Sequence, residues 1–260
     1  MEVKSHEPGT FSWFELATTD ANRAKAFYTE LFGWKPNDVP MGPRPEDGVY
    51  TMLLKDGAEV AALYPMRGDQ QGVPPNWLSY VTVKKVDESA RRVRDLGGGV
   101  LSEPFDVMDV GRMSVVRDPT GAVFALWEAR SSIGARRINE TGAAFWSELA
   151  TRDTAAAAKF YTDLFGWKAR TGDYSGAPYT EFLLGDRSVA GMMAIRAEWG
   201  PMPPNWAVYF GVESADESTS RAERLGGRVL TPPTEIPKMG RFSVLQDPLG
   251  AAFSLFQPLS

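Results

Sequence analysis

The spacing of apolar residues along the first half of the chain changes from the two-residue period of a strand to the 3.6-residue period of a helix. A β-like run covers Phe11 to Thr18, and Asp20 then stands where a helix-capping side chain is expected. The helical face consists of five apolar residues: Ala24, Phe27, Tyr28, Leu31 and Phe32. Gly33 can end the helix in the left-handed conformation. The pattern predicts a strand followed by a helix with one buried face.

The same kinds of element continue through the rest of the first half. Strand-like runs are predicted at Tyr50 to Leu54 and Val60 to Tyr64, separated by a turn that contains Asp56 and Gly57. After a proline-rich segment the order begins again, with a strand at Trp77 to Val83, a helix capped by Asp87 that ends near Leu96, and strands near Val100, at Arg112 to Val116 and at Ala122 to Trp127. The first half therefore contains two strand–helix–strands units.

The second half of the chain repeats the first. The segment Trp13 to Lys35 returns as Trp146 to Lys168, 133 residues later, with 15 of 23 positions identical. Later landmarks recur 129 residues apart: PPNW at Pro74 and Pro203, LGG at Leu96 and Leu225, GR at Gly111 and Gly240, and DPxGA at Asp118 and Asp247. We therefore expect two copies of one architecture.

One loop accounts for the difference between the two spacings, because the first copy is four residues longer there. We place these residues in the loop Pro36 to Val49, whose prolines and glycines do not continue a helix or a central strand. The matching loop of the second copy is Ala169 to Pro178. Two interpretations are open: a lid over a ligand site, or a solvated connection without a function.

Composition favours a globular protein that handles a small molecule. Hydrophobic residues make up 43% of the chain, which is enough for a core. A formal net charge of −5, without a cluster of Lys or Arg, argues against a nucleic acid or an anionic membrane as partner. The chain contains no cysteine, which excludes disulfides and thiolate chemistry. We expect a cytoplasmic protein with a small-molecule ligand, because no apolar run has the length of a membrane span and the first residues do not form a signal peptide.

The ordered motifs FYTELFGW, LGG and DPxG together resemble those of the vicinal oxygen chelate superfamily, which includes glyoxalases, bleomycin-resistance proteins and dioxygenases. The resemblance implies an α+β fold of two tandem glyoxalase-like domains, each a pair of βαβββ modules that form an open barrel-like cleft. We place the domains at residues 1–130 and 143–260, joined by a linker at residues 131–142. Single-copy relatives often build their clefts from dimers, so the fused chain is expected to be a monomer or a homodimer.

The metal ligands that this resemblance implies are missing from the sequence. Metal-using relatives carry His, Glu or Gln on the first strand of each module and an acid on the last strand. The corresponding residues here are Trp13, Leu78 and Ala125 in the first copy, and Trp146, Ala207 and Ser254 in the second. Glu128 should point to the opposite face from Ala125, and the single histidine, His6, is expected to be solvated. We therefore expect neither a metal nor another cofactor.

Strand alternation predicts which side chains line the two clefts, since residues two apart share a face. The predicted ligand-binding residues are Trp13, Tyr80, Arg112 and Trp127 in the first copy, and Trp146, Tyr209, Arg241 and Phe256 in the second. A surface of aromatic rings with a few polar groups suits a flat organic ligand. The alternative is that these rings only fill the interior of a small barrel.

Glu15 and its counterpart Glu148 are the predicted catalytic residues. An acid on an otherwise apolar strand face needs a partner. In a structural role, that partner would be Arg112 or Arg241, a backbone group or a tyrosine. In a catalytic role, burial would raise the carboxyl pKa and the group would act as a general base, while a tyrosine of the same cleft stabilises an oxyanion.

Three functions follow from these residues. The leading hypothesis is metal-independent binding of a small aromatic or otherwise flat molecule, for drug sequestration or metabolite handling. The alternative is a cofactor-free enzyme, of isomerase, cyclase, lyase or hydroxylase type, that uses a cleft Glu as acid or base. A third possibility is that one copy binds ligand and the other is a scaffold, because the two loops differ.

Overall fold

The computed structural model describes residues 2–42, 44, 48–70, 72–174 and 176–259. Two eight-stranded sheets and four α-helices lie within this part of the chain. Each sheet ends in two edge strands and does not close into a barrel. The predicted α+β class, with two tandem domains and open sheets, is confirmed. No helix in the described ranges is long and apolar enough to cross a membrane.

The first sheet is built by the first copy of the repeat. Its strands are β1 (Phe11–Thr18), β2 (Lys35–Pro40), β3 (Val49–Lys55), β4 (Ala58–Pro65), β5 (Asn76–Thr82), β6 (Gly99–Val107), β7 (Gly111–Arg117) and β8 (Val123–Ala129). Its helices are α1 (Ala21–Phe32) and α2 (Val86–Asp95). The strand order is β2-β3-β4-β1-β5-β8-β7-β6, so the first strands of the two modules, β1 and β5, are central neighbours.

The second sheet has the same layout. Its strands are β9 (Ala144–Thr151), β10 (Lys168–Tyr174), β11 (Ala177–Leu184), β12 (Arg187–Ala194), β13 (Asn205–Gly211), β14 (Arg228–Ile236), β15 (Gly240–Gln246) and β16 (Ala252–Pro258). Its helices are α3 (Thr154–Phe165) and α4 (Ala215–Arg224). The strand order is β10-β11-β12-β9-β13-β16-β15-β14. Trp13 lies opposite Tyr80 in the first sheet, as Trp146 lies opposite Tyr209 in the second.

Local sequence sets both ends of α1 as predicted. The Asp20 side chain accepts a hydrogen bond from the backbone N–H of Arg23 at 3.0 Å, which satisfies a donor that the first turn leaves unpaired. Gly33 ends the helix with φ of 71°, in the left-handed region that favours glycine. Helix α3 repeats this arrangement with Asp153 and Gly166.

Helix α2 begins differently from the prediction. Its cap position is Lys85, which makes no side-chain capping bond, and the predicted cap Asp87 lies inside the first turn. The missing cap is replaced by Glu128 of β8, whose carboxylate accepts the N–H of Val86 at 3.0 Å. In α4 the side chain of Ser214 provides a cap, and Gln257 accepts the N–H of Ala215 in addition. The sequence pattern could not show this contact, because it joins residues 42 positions apart.

The loop that was predicted at Pro36 to Val49 is partly a strand. Its first five residues belong to β2, which lies at the edge of the sheet, and an edge strand tolerates proline because not every N–H is needed for pairing. Its counterpart Ala169 to Pro178 is mostly the hairpin of β10 and β11. Residues 43, 45–47 and 175 of these loops lie outside the described residues, so the lid interpretation stays a prediction.

A single hydrophobic core joins the two sheets. Rings of α1 reach the second sheet: the centroids of Phe27 and Tyr28 lie 6.0 and 5.5 Å from that of Phe253 on β16. Rings of α3 reach the first sheet in return, where Tyr161 lies 5.7 Å from Phe124 on β8. The buried core cluster accordingly contains residues of both copies. Each of these helices thus covers the outer face of its own sheet and contacts the other sheet.

Two buried tyrosine–aspartate hydrogen bonds cross between the copies. The Tyr28 hydroxyl donates to Asp247 Oδ2 at 3.1 Å, and the Tyr161 hydroxyl donates to Asp118 Oδ2 at 2.9 Å. Both aspartates belong to the DPxGA turns, and their other carboxylate oxygens accept backbone N–H groups of those turns. The DPxGA motif therefore holds its own turn and the helix of the other copy.

We predict that Tyr28→Phe lowers the free energy of unfolding by about 2 kcal/mol, because the buried Asp247 carboxylate loses a donor. The indole N–H of Trp77 also loses its acceptor, since it donates to the Tyr28 hydroxyl at 3.0 Å. Urea unfolding followed by circular dichroism measures the change. Tyr161→Phe is the matched variant in the other copy and should cost a similar amount; a loss below about 0.5 kcal/mol in both would contradict this role.

Candidate functional site

The inner face of the first sheet brings together three of the four residues predicted for the first cleft. Trp13, Tyr80 and Trp127 pack together in a small buried cluster with Ala125. Phe14, the neighbour of Trp13, belongs instead to the main core on the outer face. The face of each of these strands that the sequence assigned to the cleft is therefore the face that the fold turns inward.

Glu15 is buried among hydroxyl groups on this inner face. It accepts hydrogen bonds from the hydroxyls of Tyr80 on β5 and Tyr50 on β3. Tyr50 in turn accepts the indole N–H of Trp13 at 3.0 Å. Burial raises the pKa of Glu15, and the two tyrosine hydrogen bonds offset part of that rise. Of the partners considered from sequence, the structure supplies tyrosine.

The second sheet repeats this network around Glu148. The Tyr209 hydroxyl donates to Glu148 Oε1 at 2.6 Å, and the Tyr179 hydroxyl donates to Oε2 at 2.8 Å. The indole N–H of Trp146 donates to the Tyr179 hydroxyl at 3.0 Å. Burial again raises the pKa of Glu148, opposed by the bonds to the two tyrosines. In each sheet, a buried glutamate thus accepts hydrogen bonds from two tyrosine hydroxyls. One of these hydroxyls also accepts the indole N–H of a tryptophan.

This arrangement has a definite chemical capacity. No Lys or Arg in the described ranges forms an ion pair with Glu15 or Glu148, so nothing cationic holds either carboxylate in its charged form. The pKa of Tyr209 is raised by burial and then by the nearby charge of Glu148, which keeps its hydroxyl protonated as a donor. A buried carboxylate between two such donors can accept a proton, and the donors can stabilise a developing negative charge on a bound molecule.

Tyr50 and Tyr179 are the site residues that sequence reasoning missed. They lie on β3 and β11, the third strands of their modules, which were predicted but not assigned to the cleft. Their separation of 129 residues is the same as that of the PPNW and DPxGA landmarks. A comparison of the two copies at that spacing would have identified both.

Arg112 and Arg241 do not lie with the clefts, which corrects their assignment as ligand-binding residues. Arg112 pairs with Asp87 of α2, with Nε to Oδ2 at 2.7 Å, and Arg241 pairs with Asp216 of α4 at 3.1 Å. In the sheet Arg112 lies opposite Glu128, which also points toward α2. Both arginines therefore face the helices and do not reach Glu15 or Glu148.

The residues of the two clefts do not fit a divalent metal. Within the described ranges, no three His, Cys, Asp or Glu side chains come close enough together to hold an ion. Each inner face offers a carboxylate, Glu15 or Glu148, that is already bonded to two tyrosines, and the second face adds Glu181, which pairs with Arg170. Glu128 lies on the outer face, at the start of α2, as its position in the strand predicted. Hard divalent cations need several converging oxygen or nitrogen ligands, and this chemistry is not assembled here.

His6 is half-buried, which corrects the expectation that it is solvated. One ring nitrogen, Nε2, lies 2.7 Å from the carbonyl oxygen of Ala135 in the linker. Burial lowers the pKa of His6, opposed by that hydrogen bond. The contact attaches the amino-terminal segment to the linker. His6 is not part of the hydrogen-bond network of Glu15 or of Glu148.

The two clefts differ in how they are covered. The linker lies against the first cleft: Ala135 is fully buried in the Trp13 cluster, and its N–H donates to the Ser12 carbonyl at 2.7 Å. The carbonyl of Ser132 accepts the indole N–H of Trp127 at 3.1 Å. The linker touches the second copy at the start of β9, where the N–H of Asn139 donates to the Ala144 carbonyl at 2.7 Å and where Ile138 and Asn139 line a cavity with Trp146.

The side chains of the second cleft are also more accessible. Trp146 is partly exposed, whereas its counterpart Trp13 is 8% exposed. Ala207 and Phe256 stand where the first cleft has Leu78 and Trp127, so two smaller side chains face the second cleft. Phe256 is partly exposed as well. The first inner face is packed like a core, and the second leaves the rings of Trp146 and Phe256 partly exposed.

Comparison with known proteins matches both copies. The family model described as Glyoxalase/Bleomycin resistance protein/Dioxygenase superfamily matches residues 10–126 and 137–255. The protein named "Putative glyoxylase CFP32" of Mycobacterium tuberculosis is 43% identical over 97% of this chain and 96% of its own length. "Anthracycline biosynthesis protein DnrV" of Streptomyces peucetius is 36% identical over 96% of this chain and 94% of its own length.

Solved structures show the same fold at low identity. The Mn(II)-bound glyoxalase from Novosphingobium aromaticivorans is 18% identical, with a TM-score of 0.63 over 97% of this chain and 83% of that one. The 2,2',3-trihydroxybiphenyl 1,2-dioxygenase from Sphingomonas wittichii is 15% identical, with a TM-score of 0.66 over 96% of this chain and 91% of that one. At these identities the likeness concerns the fold.

We predict that Gly191→Ala disrupts the second network. A Cβ at Gly191 would lie 1.8 Å from the Tyr179 hydroxyl oxygen, so the ring must leave its bond with Glu148. The expected loss is about 1–3 kcal/mol of unfolding free energy, with a shift of the Glu148 carboxyl band in the infrared. The matched control is Ala62→Gly, at the same place in the first copy, which removes a methyl and creates no clash. An unchanged infrared band in Gly191→Ala would refute the contact.

Proposed function

The chain belongs to the glyoxalase/bleomycin resistance protein/dioxygenase superfamily, and from this premise we propose that it binds a flat, largely aromatic organic molecule in its second cleft without a metal. The observation that carries the proposal is the partly exposed Trp146 beside the buried Glu148 network. Rings provide stacking surface for a planar ligand, and the carboxylate and phenols provide a polar end that orients it.

The ring surface of this cleft comes from four strands. Trp146 lies on β9, Tyr209 on β13 and Phe256 on β16, and the Phe242 ring of β15 lies 6.4 Å from that of Tyr209. Trp146 and Phe256 are partly exposed, so a ligand can contact them without displacing core residues. A site of this composition favours a planar molecule that carries a hydroxyl or carbonyl group, which can bond to Tyr209 or Tyr179.

The relatives support this class of ligand. The Streptomyces protein that covers nearly the whole chain is named for anthracycline biosynthesis, and anthracyclines contain a flat fused-ring core with phenol and ketone groups. Such a molecule matches the aromatic walls and the polar end of the second cleft. We therefore propose a role in handling or sequestering an aromatic metabolite of this kind.

We further propose that the first copy is a scaffold. Its inner face is filled by Trp13, Tyr80 and Trp127 together with Ala135 of the linker. Tyr80 is 3% exposed, so a ligand would have to displace the linker to reach it. In the second copy Ile138 and Asn139 of the linker line a cavity with Trp146, and the rings of Trp146 and Phe256 stay partly exposed.

A second candidate function is acid–base catalysis in the same cleft, which the buried Glu148 favours. Burial raises its pKa toward the range in which a base can take a proton from a carbon acid or a phenol. Tyr209 would then donate to the oxyanion that forms on the substrate. This chemistry needs no metal and would make the protein an isomerase, cyclase or lyase acting on the molecule that it binds.

We predict that chelator-treated protein binds an anthracycline-type aromatic probe at one site per chain. Trp146→Ala should weaken binding roughly tenfold or more, because it removes the stacking surface. Trp13→Ala, the matched variant in the first cleft, should change affinity less than twofold. Equilibrium dialysis with and without added divalent cations measures both effects, and circular dichroism checks folding. Binding that appears only with a stoichiometric metal would overturn the proposal.

If the cleft is catalytic, turnover should depend on the ionised form of Glu148. A general base must be deprotonated, so activity is expected above the raised pKa of Glu148 and should fall as the pH drops through it. Glu148→Gln should abolish turnover while the probe still binds. Glu15→Gln, the matched control, should retain the pH profile. Turnover that survives Glu148→Gln would exclude this mechanism.

A further inference from the structure

The linker fills a gap between two strands of the first sheet. Strands β1 and β4 are paired only from Glu15 and Ala62 onward, and they diverge before that point. In the gap, the N–H of Ala135 donates to the Ser12 carbonyl and the N–H of Arg136 donates to the Glu59 carbonyl, both at 2.7 Å. The linker therefore lies between the two strands like a short additional strand and donates a backbone hydrogen bond to each of them.

The fit of the linker in this gap depends on small residues. A Cβ at Gly134 would lie 2.3 Å from the Ser12 carbonyl oxygen, so glycine allows the backbone to approach β1. Ala135 follows and is fully buried. The gap thus takes a glycine followed by a small side chain, both in close contact with the strand edge.

The second sheet has the same gap at the equivalent place. Strands β9 and β12 are paired only from Glu148 and Gly191 onward. The repeat spacings make Phe145 the counterpart of Ser12 and Ser188 the counterpart of Glu59. A cavity of about 300 Å³ adjoins these strand ends, and its other walls come from the amino-terminal segment, the start of β1 and the linker residues Ile138 and Asn139.

The walls of this cavity are suited to a peptide backbone. They include the diverging ends of both strands, with Phe145, Ser188 and Val189 among the lining residues. Glu7 and Arg187 also line it and form an ion pair at 2.8 Å with both side chains about 60% exposed. Diverging strand ends present backbone groups that a further extended segment can pair with.

We propose that this gap is a peptide-binding site, which takes an extended segment with a glycine followed by a small residue. The segment would insert between β9 and β12 as the linker inserts between β1 and β4, with successive N–H groups donating to the carbonyls of Phe145 and Ser188. Ser188 replaces Glu59, whose carboxylate lies 3.9 Å from the Arg136 guanidinium. The site therefore does not require an arginine after the small residue.

The test uses the full chain and a synthetic peptide that copies residues 132–137, SIGARR. We expect binding at one site per chain by isothermal titration calorimetry. A peptide methylated on the backbone nitrogen of its alanine should bind roughly tenfold more weakly, because it lacks the donor for Phe145. A peptide with leucine in place of glycine should bind no better than the methylated one. Ser188→Trp, which fills the gap, should abolish binding of the parent peptide.

Each alternative outcome overturns the proposal. Equal affinity of the methylated and parent peptides would mean that binding does not occur by strand addition. Binding that survives in Ser188→Trp would place the peptide elsewhere, for example in the first gap in exchange for the linker. Absence of binding at millimolar peptide would show that the gap does not accept a segment. Trp146 also lines this cavity, so the readout that separates the two proposals is the difference in affinity between the parent and methylated peptides, which depends on the Phe145 carbonyl whether or not the aromatic probe binds to the second cleft.

Discussion

The structure depends on one reciprocal interaction, in which each copy of the repeat holds the first helix of the other. Tyr28 and Tyr161 reach across the shared core to Asp247 and Asp118, the aspartates of the two DPxGA turns. Because a buried carboxylate without donors is costly, these bonds fix the helices where the two sheets meet back to back. This contact buries the outer faces of the sheets, and the inner faces form the clefts.

The two inner faces share the same hydrogen-bond network but differ in how they are covered. Both place a carboxylate between two tyrosines, with an indole N–H bonded to one of them. The linker follows the first copy and packs on its cleft, where it buries Ala135 against Trp13. The second face keeps smaller side chains at two positions and a more exposed Trp146. A duplicated chain can in this way keep one face as scaffold while the other takes a ligand.

Sequence could predict those parts of the fold that depend on local patterns. Asp20, Gly33 and the alternation of β1 gave the helix ends and the inward position of Trp13 and Glu15. The partners of Glu15 could not be read locally, because Tyr50 comes from a strand 35 residues away. Arg112 was assigned to the wrong face of its strand. Strand alternation predicts the correct face, because Met113 lies opposite Trp127 on the inner face and its neighbour Arg112 must therefore face the helix. The covering linker could not be predicted, since its position depends on the gap between β1 and β4.

We propose that the second cleft binds an aromatic molecule without a metal. The most direct test is fluorine NMR of chelator-treated protein labelled with 5-fluorotryptophan at its eight tryptophans, titrated with an anthracycline-type probe. The Trp146 signal, assigned with Trp146→Phe, should shift and saturate while the Trp13 signal stays in place. A Trp146 signal that moves only after a divalent metal is added, or a shift confined to Trp13, would contradict it.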